Sequence, residues 1–244
     1  KLLRILNDFY DPNDDKGIVR LLHTFTYKGH LCLVFEMLNM NLFEVVQLNQ
    51  FHGISLQLLR IISRQLFSTL LYLRHANIIH SDLKPENILM TSPFEAKIKV
   101  IDFGSATSLY SPTKFNYIQS RFYRAPEVIL GYCYTTQIDM WSAGCILAEL
   151  FIGLPLFPGP TQNELLHRMI IALGPPPPEM LYYSSLTKRF FHVNTGRFVP
   201  SNKKRGKKYH QSDIPRESRY KISMMQLLKE KNLTSKECSH IQIK

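Results

Sequence analysis

The residues with the most chemical content lie in one short run, His80-Ser81-Asp82-Leu83-Lys84-Pro85-Glu86-Asn87. A carboxylate, an ammonium two positions on and an amide three beyond that can orient a hydroxyl, hold an anionic group and offer an oxygen to a hard cation. Twenty residues after Asp82 the apolar segment Ile98-Lys99-Val100-Ile101 runs into Asp102-Phe103-Gly104, which supplies a second carboxylate at a turn. Ala125-Pro126-Glu127 follows. Taken singly, Asp82 and Asn87 read as loop residues that satisfy turns, and Asp102 as a cap. As an ordered set they point to transfer of a group whose charge is spread over several oxygens and which must be held in line.

Several elements must position that set. From Ser55 to Ala76, apolar residues at Leu59, Ile62, Leu66, Leu70 and Leu73 keep the spacing of a helix with one buried face, with Ser55 as its N-cap. Ile78 to His80, Ile88 to Met90 and Ile98 to Ile101 are too short for helices and read as brief strands feeding the chemical loops. Ile138 to Phe151 is apolar on nearly every side and stops at Gly153 and Pro155, so it reads as a buried helix in which Asp139 needs donors. Upstream, Lys1 to Leu6 reads as a helix end and Asp11 to Gly17 as an unpacked loop of turn formers. Ile18 to Phe25 and His30 to Met37 read as a hairpin joined through Tyr27-Lys28-Gly29. After Pro175 to Pro178 the periodicity fades until a short helix at Ile222 to Lys229, and no internal repeat is visible.

A chain of 244 residues with 45% hydrophobic content has enough apolar surface for a sizeable core. It has no run of apolar residues long enough to cross a bilayer, which argues against a membrane protein. Cys32, Cys133, Cys145 and Cys238 are widely spaced with no C-x-x-C pair, which argues for a reducing compartment and against a disulfide or metal framework. The net charge of +11 is uneven: residues 1–184 carry 15 basic and 15 acidic side chains, residues 185–244 carry 15 and 4. An excess confined to the last quarter argues against specific nucleic-acid binding by the whole chain.

The ordered set of His80 to Asn87, Asp102-Phe103-Gly104 and Ala125-Pro126-Glu127 resembles the signature of eukaryotic protein kinases. That resemblance implies an α+β bilobal fold: residues 1–38 as part of a small β lobe and hinge, 39–191 as a mainly helical large lobe, and 192–244 as a basic segment without assignment. It implies ATP and Mg2+, with Asp82, Lys84, Asn87 and Asp102 catalytic and Asn87 and Asp102 holding the metal. Asp82, Asn87 and Asp102 are expected to converge on one cleft below the hinge. Val34-Phe35-Glu36-Met37-Leu38 is similar to the strand and hinge of an adenine pocket. On that reading Phe35 is the gatekeeper, backbone groups of Glu36 and Leu38 meet adenine, and Leu89 and Ile101 form the floor; ordinary core packing accounts for Phe35 and Ile101 equally well. Asp139 is expected to accept hydrogen bonds from the catalytic-loop backbone.

Tyr117-Ile118-Gln119-Ser120-Arg121-Phe122-Tyr123-Arg124-Ala125-Pro126-Glu127 resembles the activation segment of the dual-specificity tyrosine-regulated kinases, with which Ser81 agrees, and the apolar hinge and Gly153 to Gly159 look nearest their Yak subfamily. This implies phosphorylation of serine or threonine in protein substrates, with proline after the acceptor. It also implies autophosphorylation at Tyr117, the phosphotyrosine being met by Arg121 and Arg124. A monomer in the cytoplasm, the nucleus or both is expected, and the cluster Lys203-Lys204-Arg205-Gly206-Lys207-Lys208 reads as an import signal, as a patch for acidic partners or as a solvated loop. The glycine-rich loop, strand lysine and helix glutamate of a kinase are not among these residues, so the stretch by itself is expected to be inactive. A catalytically silent homologue that binds partners is the alternative reading.

Overall fold

The computed structural model describes residues 2–111, 117–192 and 195–200. The short helix expected at Ile222 to Lys229, the cluster at Lys203 to Lys208 and Cys238 lie outside the described residues.

Helix α1 (Leu2–Ile5) does not stop at Leu6 but continues as a π-helical turn, Leu6–Tyr10, closed by the Asp11 N–H on the Leu6 carbonyl at 2.8 Å. Strands β1 (Leu21–Tyr27) and β2 (His30–Phe35) form the expected antiparallel hairpin, with Tyr27 opposite His30. Lys28 and Gly29, at φ 47° and 79°, make the left-handed turn whose twist suits paired strands. β1 begins at Leu21 and not at Ile18, because Ile18 and Val19 are taken by another partner: Ile18 bridges Val100 in parallel and the Val19 N–H reaches the Val100 carbonyl at 3.1 Å. Asp11 to Gly17 differs more sharply from its reading as an unpacked loop. Asp11 is fully buried, and its Oδ1 accepts from the N–H groups of Asp15 and Lys16 at 2.9 and 3.2 Å.

Helix α2 (Leu42–Leu48) is entered through a capping box in which Asn41 accepts from the Glu44 N–H and Glu44 from the Asn41 N–H. Helix α3 (Leu56–His75) has Ser55 as N-cap, its hydroxyl accepting from the Leu58 N–H, and buries Ile62, Leu66, Leu70 and Leu73. Its Gln65 amide bridges to the neighbouring sheet, donating to the Ala96 carbonyl at 2.6 Å and accepting from the Ile98 N–H at 3.0 Å. Strands β3 (Ile78–Ile79), β4 (Ile88–Ser92), β5 (Glu95–Val100) and β6 (Thr107–Ser108) make two small antiparallel pairs, β3 with β6 and β4 with β5.

Helix α4 (Pro126–Leu130) leads to α5 (Gln137–Ile152), which is buried around most of its circumference, as its composition predicts. Gly153, at φ 95°, ends α5 where a Cβ would stand 1.8 Å from the Phe51 carbonyl oxygen, so only glycine permits that approach. Helices α6 (Gln162–Leu173), α7 (Pro178–Tyr183) and α8 (Thr187–Phe190) follow, the last two in the stretch where the sequence periodicity fades. One core runs from Leu3 through α3, α5 and α6 to Phe191, and a smaller one (Ile79, Ala125, Val128, Tyr134 and Ile138) sits under the segment before α4. Among the described residues no helix is long and apolar enough to cross a membrane.

Candidate active site

The site starts from a buried carboxylate. Asp139, near the start of α5, accepts from the His80 N–H at 2.7 Å and the Ser81 N–H at 3.0 Å. Burial pushes its pKa up; the His80 ring and the two N–H groups pull the other way without fully offsetting it. The donors expected for Asp139 are thus those two backbone groups, and they fix the chain one residue before Asp82. His80, itself buried, holds the second loop: its Nε2 lies 2.8 Å from the Ile101 carbonyl, its Nδ1 accepts from the Asp82 N–H at 3.2 Å, and its ring packs edge-on against Phe103. The carbonyl contact assigns the ring proton to Nε2.

Three side chains meet at the Asp82 carboxylate. Lys84 Nζ stands 3.0 Å from Oδ2, Asn87 Nδ2 stands 3.3 Å from the same oxygen and 2.8 Å from the Asp82 carbonyl, and Ser120 donates its hydroxyl to Oδ1 at 2.7 Å. Burial acts against the Lys84 charge, but Asp82, Glu86 and Asp102 together hold its pKa above the ordinary lysine value. Asp102 therefore lies within electrostatic reach of Lys84, and the Ile101 N–H is tied to the Asn87 carbonyl at 2.9 Å. Asp82, Asn87 and Asp102 come together in one place. Asp102 is left-handed, φ 59°, with Oδ1 accepting from the Gly104 N–H at 3.2 Å, a conformation that a short polar side chain tolerates. Its carboxylate is exposed, while Asn87 commits only its nitrogen to Asp82. These are hard oxygen donors of the kind that suits Mg2+ completed by water and phosphate oxygens.

The proposed adenine-pocket residues lie on β2, on β4 and just past β5. Phe35 ends β2 opposite Leu21 and is 41% exposed. Leu89 and Ile101 are part-buried, on β4 and beyond β5. The hinge is fixed at both ends, by the Glu36 N–H on the Arg20 carbonyl at 3.1 Å and the Asn39 N–H on the Met90 carbonyl at 2.8 Å. Between them, among the described residues, the backbone N–H and C=O of Leu38 bond to no other backbone group. The Glu36 side chain is engaged as well, a point the sequence does not suggest: Oε1 accepts from Lys99 Nζ at 2.6 Å and from the Arg20 N–H at 2.7 Å.

Before α4, Tyr117 is 70% exposed with the Arg124 guanidinium 4.1 Å from its ring centre. Arg124 and then Arg121 draw the Tyr117 phenol below its ordinary pKa. The two arginines are less available than expected. Arg121 donates to the Pro160 carbonyl at 2.7 Å, and Arg124, 2% exposed, donates to the Ile118 and Gln119 carbonyls at 2.8 Å each. Nη1 of Arg124 is buried without a hydrogen-bond partner among the described residues, as are Asp11 Oδ2, Ser81 Oγ and Trp141 Nε1.

Gln119 is a site residue that sequence reasoning passes over. Buried and left-handed at φ 65°, it donates from Nε2 to the Ile138 carbonyl and the Ser142 hydroxyl, accepts from the Ala125 N–H, and gives its own N–H to the Ser81 carbonyl, all at 2.8 to 2.9 Å. A glutamine at a turn gives no periodic signal, so its partners were invisible until the chain was folded.

Residues 8–194 match the protein kinase domain family. The chain is 52% identical over 192 residues to a dual specificity protein kinase YAK1 homolog of Arabidopsis thaliana, covering 78% of this chain and 20% of that protein. It is 51% identical over 191 residues to the serine/threonine-protein kinase ppk15 of Schizosaccharomyces pombe (78% and 36%). It is 45% identical over 181 residues to the dual specificity protein kinase YAK1 of Saccharomyces cerevisiae (74% and 22%). The chain spans between 20% and 36% of the length of these three relatives. With most of its length matched to the family, the chain belongs to the protein kinases and, within them, is of the Yak and dual-specificity tyrosine-regulated type.

Proposed function

We propose that this chain is the catalytic part of a kinase that moves the γ-phosphoryl group of ATP to serine or threonine of protein substrates. The observation that carries this reading is the setting of Asp82: a carboxylate anchored through its neighbours on Asp139 and ringed by Lys84, Asn87 and Ser120. Asp82 orients the substrate hydroxyl and takes its proton, displacing the Ser120 contact at Oδ1. Lys84 holds the anionic oxygens of the transferred group beside that carboxylate. Asn87 and Asp102 would hold Mg2+, which neutralises charge on the phosphates. Catalysis here is mainly positioning, which is why each member is itself held by a second contact.

Proline after the acceptor is supported by Gln119 and Arg124. A residue docking its N–H near Gln119 would find that carbonyl already accepting from Arg124 at 2.8 Å, whereas proline has no N–H to leave unpaired. For Tyr117, the uncommitted Nη1 of Arg124 beside the exposed ring is the donor that a phosphate on the phenol oxygen would meet first. Autophosphorylation there, a monomeric state, and a place in the cytoplasm or nucleus belong to the same reading. The silent-homologue alternative would require Asp82, Lys84, Asn87 and Asp102 to have kept their types and mutual approach without use. The 244 residues contain neither a glycine-rich phosphate loop nor the small-lobe lysine paired with a helix glutamate, so expressed by themselves they should transfer phosphate poorly. The test is to incubate the complete gene product with ATP, Mg2+ and paired peptides carrying Ser-Pro or Ser-Ala. Transfer favouring Ser-Pro is expected, and no transfer to either would sink the reading.

A further inference from the structure

Lys99 is the charged residue that the catalytic reading leaves unused. It lies in β5 between Ile98 and Val100, which are 1% and 0% exposed, and is itself 2% exposed, so its ammonium is out of water and needs partners. It has two. Nζ lies 2.7 and 2.8 Å from the Asp14 carboxylate oxygens and 2.6 Å from Glu36 Oε1. Asp14 is in turn met by Arg20 Nε at 3.1 Å, and the Arg20 guanidinium also donates to the Asn7 carbonyl at 2.9 Å and to the Asp11 carbonyl. A continuous charged network therefore joins the end of the first helix, the Asp11 to Gly17 loop, the start of β1, the hinge and β5.

Its two ends matter for the nucleotide. Glu36 is held by three contacts: its N–H on the Arg20 carbonyl, and its Oε1 receiving the Arg20 N–H and the Lys99 ammonium. The N–H pins the peptide unit before Glu36 and the side chain pins its Cα, which sets the point from which the Glu36 carbonyl, one of the groups assigned to adenine, departs. At the other end Lys99 pairs with Leu89 in the β4–β5 register and stands three residues before Asp102. One ammonium thus links the hinge to the strand that delivers Asp102.

We propose that Lys99 is a positioning residue for the nucleotide: by holding Glu36 and Asp14 together under the hinge, it sets the distance between the adenine-binding backbone and the Asp102 turn. This rests on the kinase reading above. Without the ammonium, Glu36 loses its cation while Asp14 keeps Arg20, and the two partly exposed carboxylates repel across the vacated position and loosen the hinge from β5. The adenine end then loses its alignment, while Asp82, Lys84 and Asn87, anchored separately on Asp139, keep theirs.

The experiment is Lys99→Met in the complete gene product, which keeps the aliphatic stem and removes the charge. Adenosine, which carries no phosphate and reports on the hinge end alone, is titrated by calorimetry, and KM for ATP and kcat are measured beside it. The expected result is an adenosine Kd and an ATP KM each raised about tenfold, with kcat at saturating ATP within about twofold. Adding Asp14→Asn to Lys99→Met removes the repulsion and should recover about threefold of the lost affinity. A folded Lys99→Met protein with wild-type adenosine affinity, whatever its melting temperature, overturns the proposal. If that variant does not fold, Asp14→Ala, at a side chain 40% exposed, takes its place and should weaken adenosine about threefold. An unchanged Kd there overturns the proposal equally. Should the wild-type protein bind neither adenosine nor ATP, the kinase reading itself falls and this inference falls with it.

Discussion

Lys84 and Lys99 each set an ammonium against a carboxylate, at 3.0 and 2.6 Å, in two regions of one small molecule. Around Lys99 the charged groups satisfy one another: Asp14, Glu36 and Arg20 close the network, and the Lys99 side chain is 3% exposed although that of Asp14 is 40% exposed. Around Lys84 the cluster is open. Its side chain is 25% exposed, three carboxylates pull on one ammonium, and Asp102 is exposed and, among the described residues, in no ion pair within 4 Å. The same pair of groups is thus framework in one place and a receptor for further charge in the other. Whether the surrounding valences are filled distinguishes the two, not the strength of the contact.

The comparison can be broken from either side. The largest effect on stability is expected at the closed network, where Lys99→Met removes a buried ammonium and its charge-assisted contacts with two partly exposed carboxylates; at about 1.5–3 kcal/mol per contact it should cost about 3–5 kcal/mol in denaturant unfolding. At the open cluster, Lys84→Met should lower phosphoryl transfer about 10²- to 10³-fold, the usual loss for one positioned donor, yet shift stability by no more than about 1 kcal/mol. If the two variants exchanged these signatures, the distinction between filled and unfilled clusters would be wrong.

A smaller effect sharpens the framework side. Tyr123 donates its hydroxyl to Glu149 Oε2 at 2.7 Å, both residues being buried. Tyr123→Phe should cost about 1–3 kcal/mol by leaving that carboxyl without its donor. Burial holds the Glu149 pKa above its ordinary value, with the Tyr123 hydrogen bond opposing. The contribution of Glu149 to stability is therefore full below the ordinary glutamate range and lost as pH rises through the raised folded value. Melting curves of Glu149→Gln against wild type should accordingly show the variant gaining relative stability as pH rises from the ordinary glutamate range toward neutrality, and a flat difference would refute that assignment. The smallest effect is at Tyr117. There, Tyr117→Phe should lower activity several-fold at unchanged melting temperature, and mass spectrometry of active enzyme should find phosphate on Tyr117.

How much of this was readable beforehand follows the same division. Helix α3 showed in its leucine spacing and in Ser55, α5 in its unbroken apolar run, and the Asp82 cluster in an ordered motif, because each signal is carried by neighbours in sequence. The capping box of Asn41 with Glu44, and the Thr161 hydroxyl accepting from the Glu164 N–H, are local signals too, and point to α2 and α6. The Lys99 network was not legible because its members, Asp14, Arg20, Glu36 and Lys99, are brought together only by the pairing of Ile18 and Val19 with Val100. One hint was present: a single lysine in an apolar strand must find partners. Asp11 misled for the opposite reason, since a run of turn formers gives no sign that its first carboxylate will be fully buried.

The account stands most directly on Asp82. In the complete gene product, Asp82→Asn keeps the size and most of the contacts of the side chain while removing its capacity to take a proton. The turnover number for a Ser-Pro peptide should fall about 10²- to 10⁴-fold, with ATP affinity and melting temperature close to wild type. Near-wild-type turnover by a folded Asp82→Asn protein would contradict the central claim.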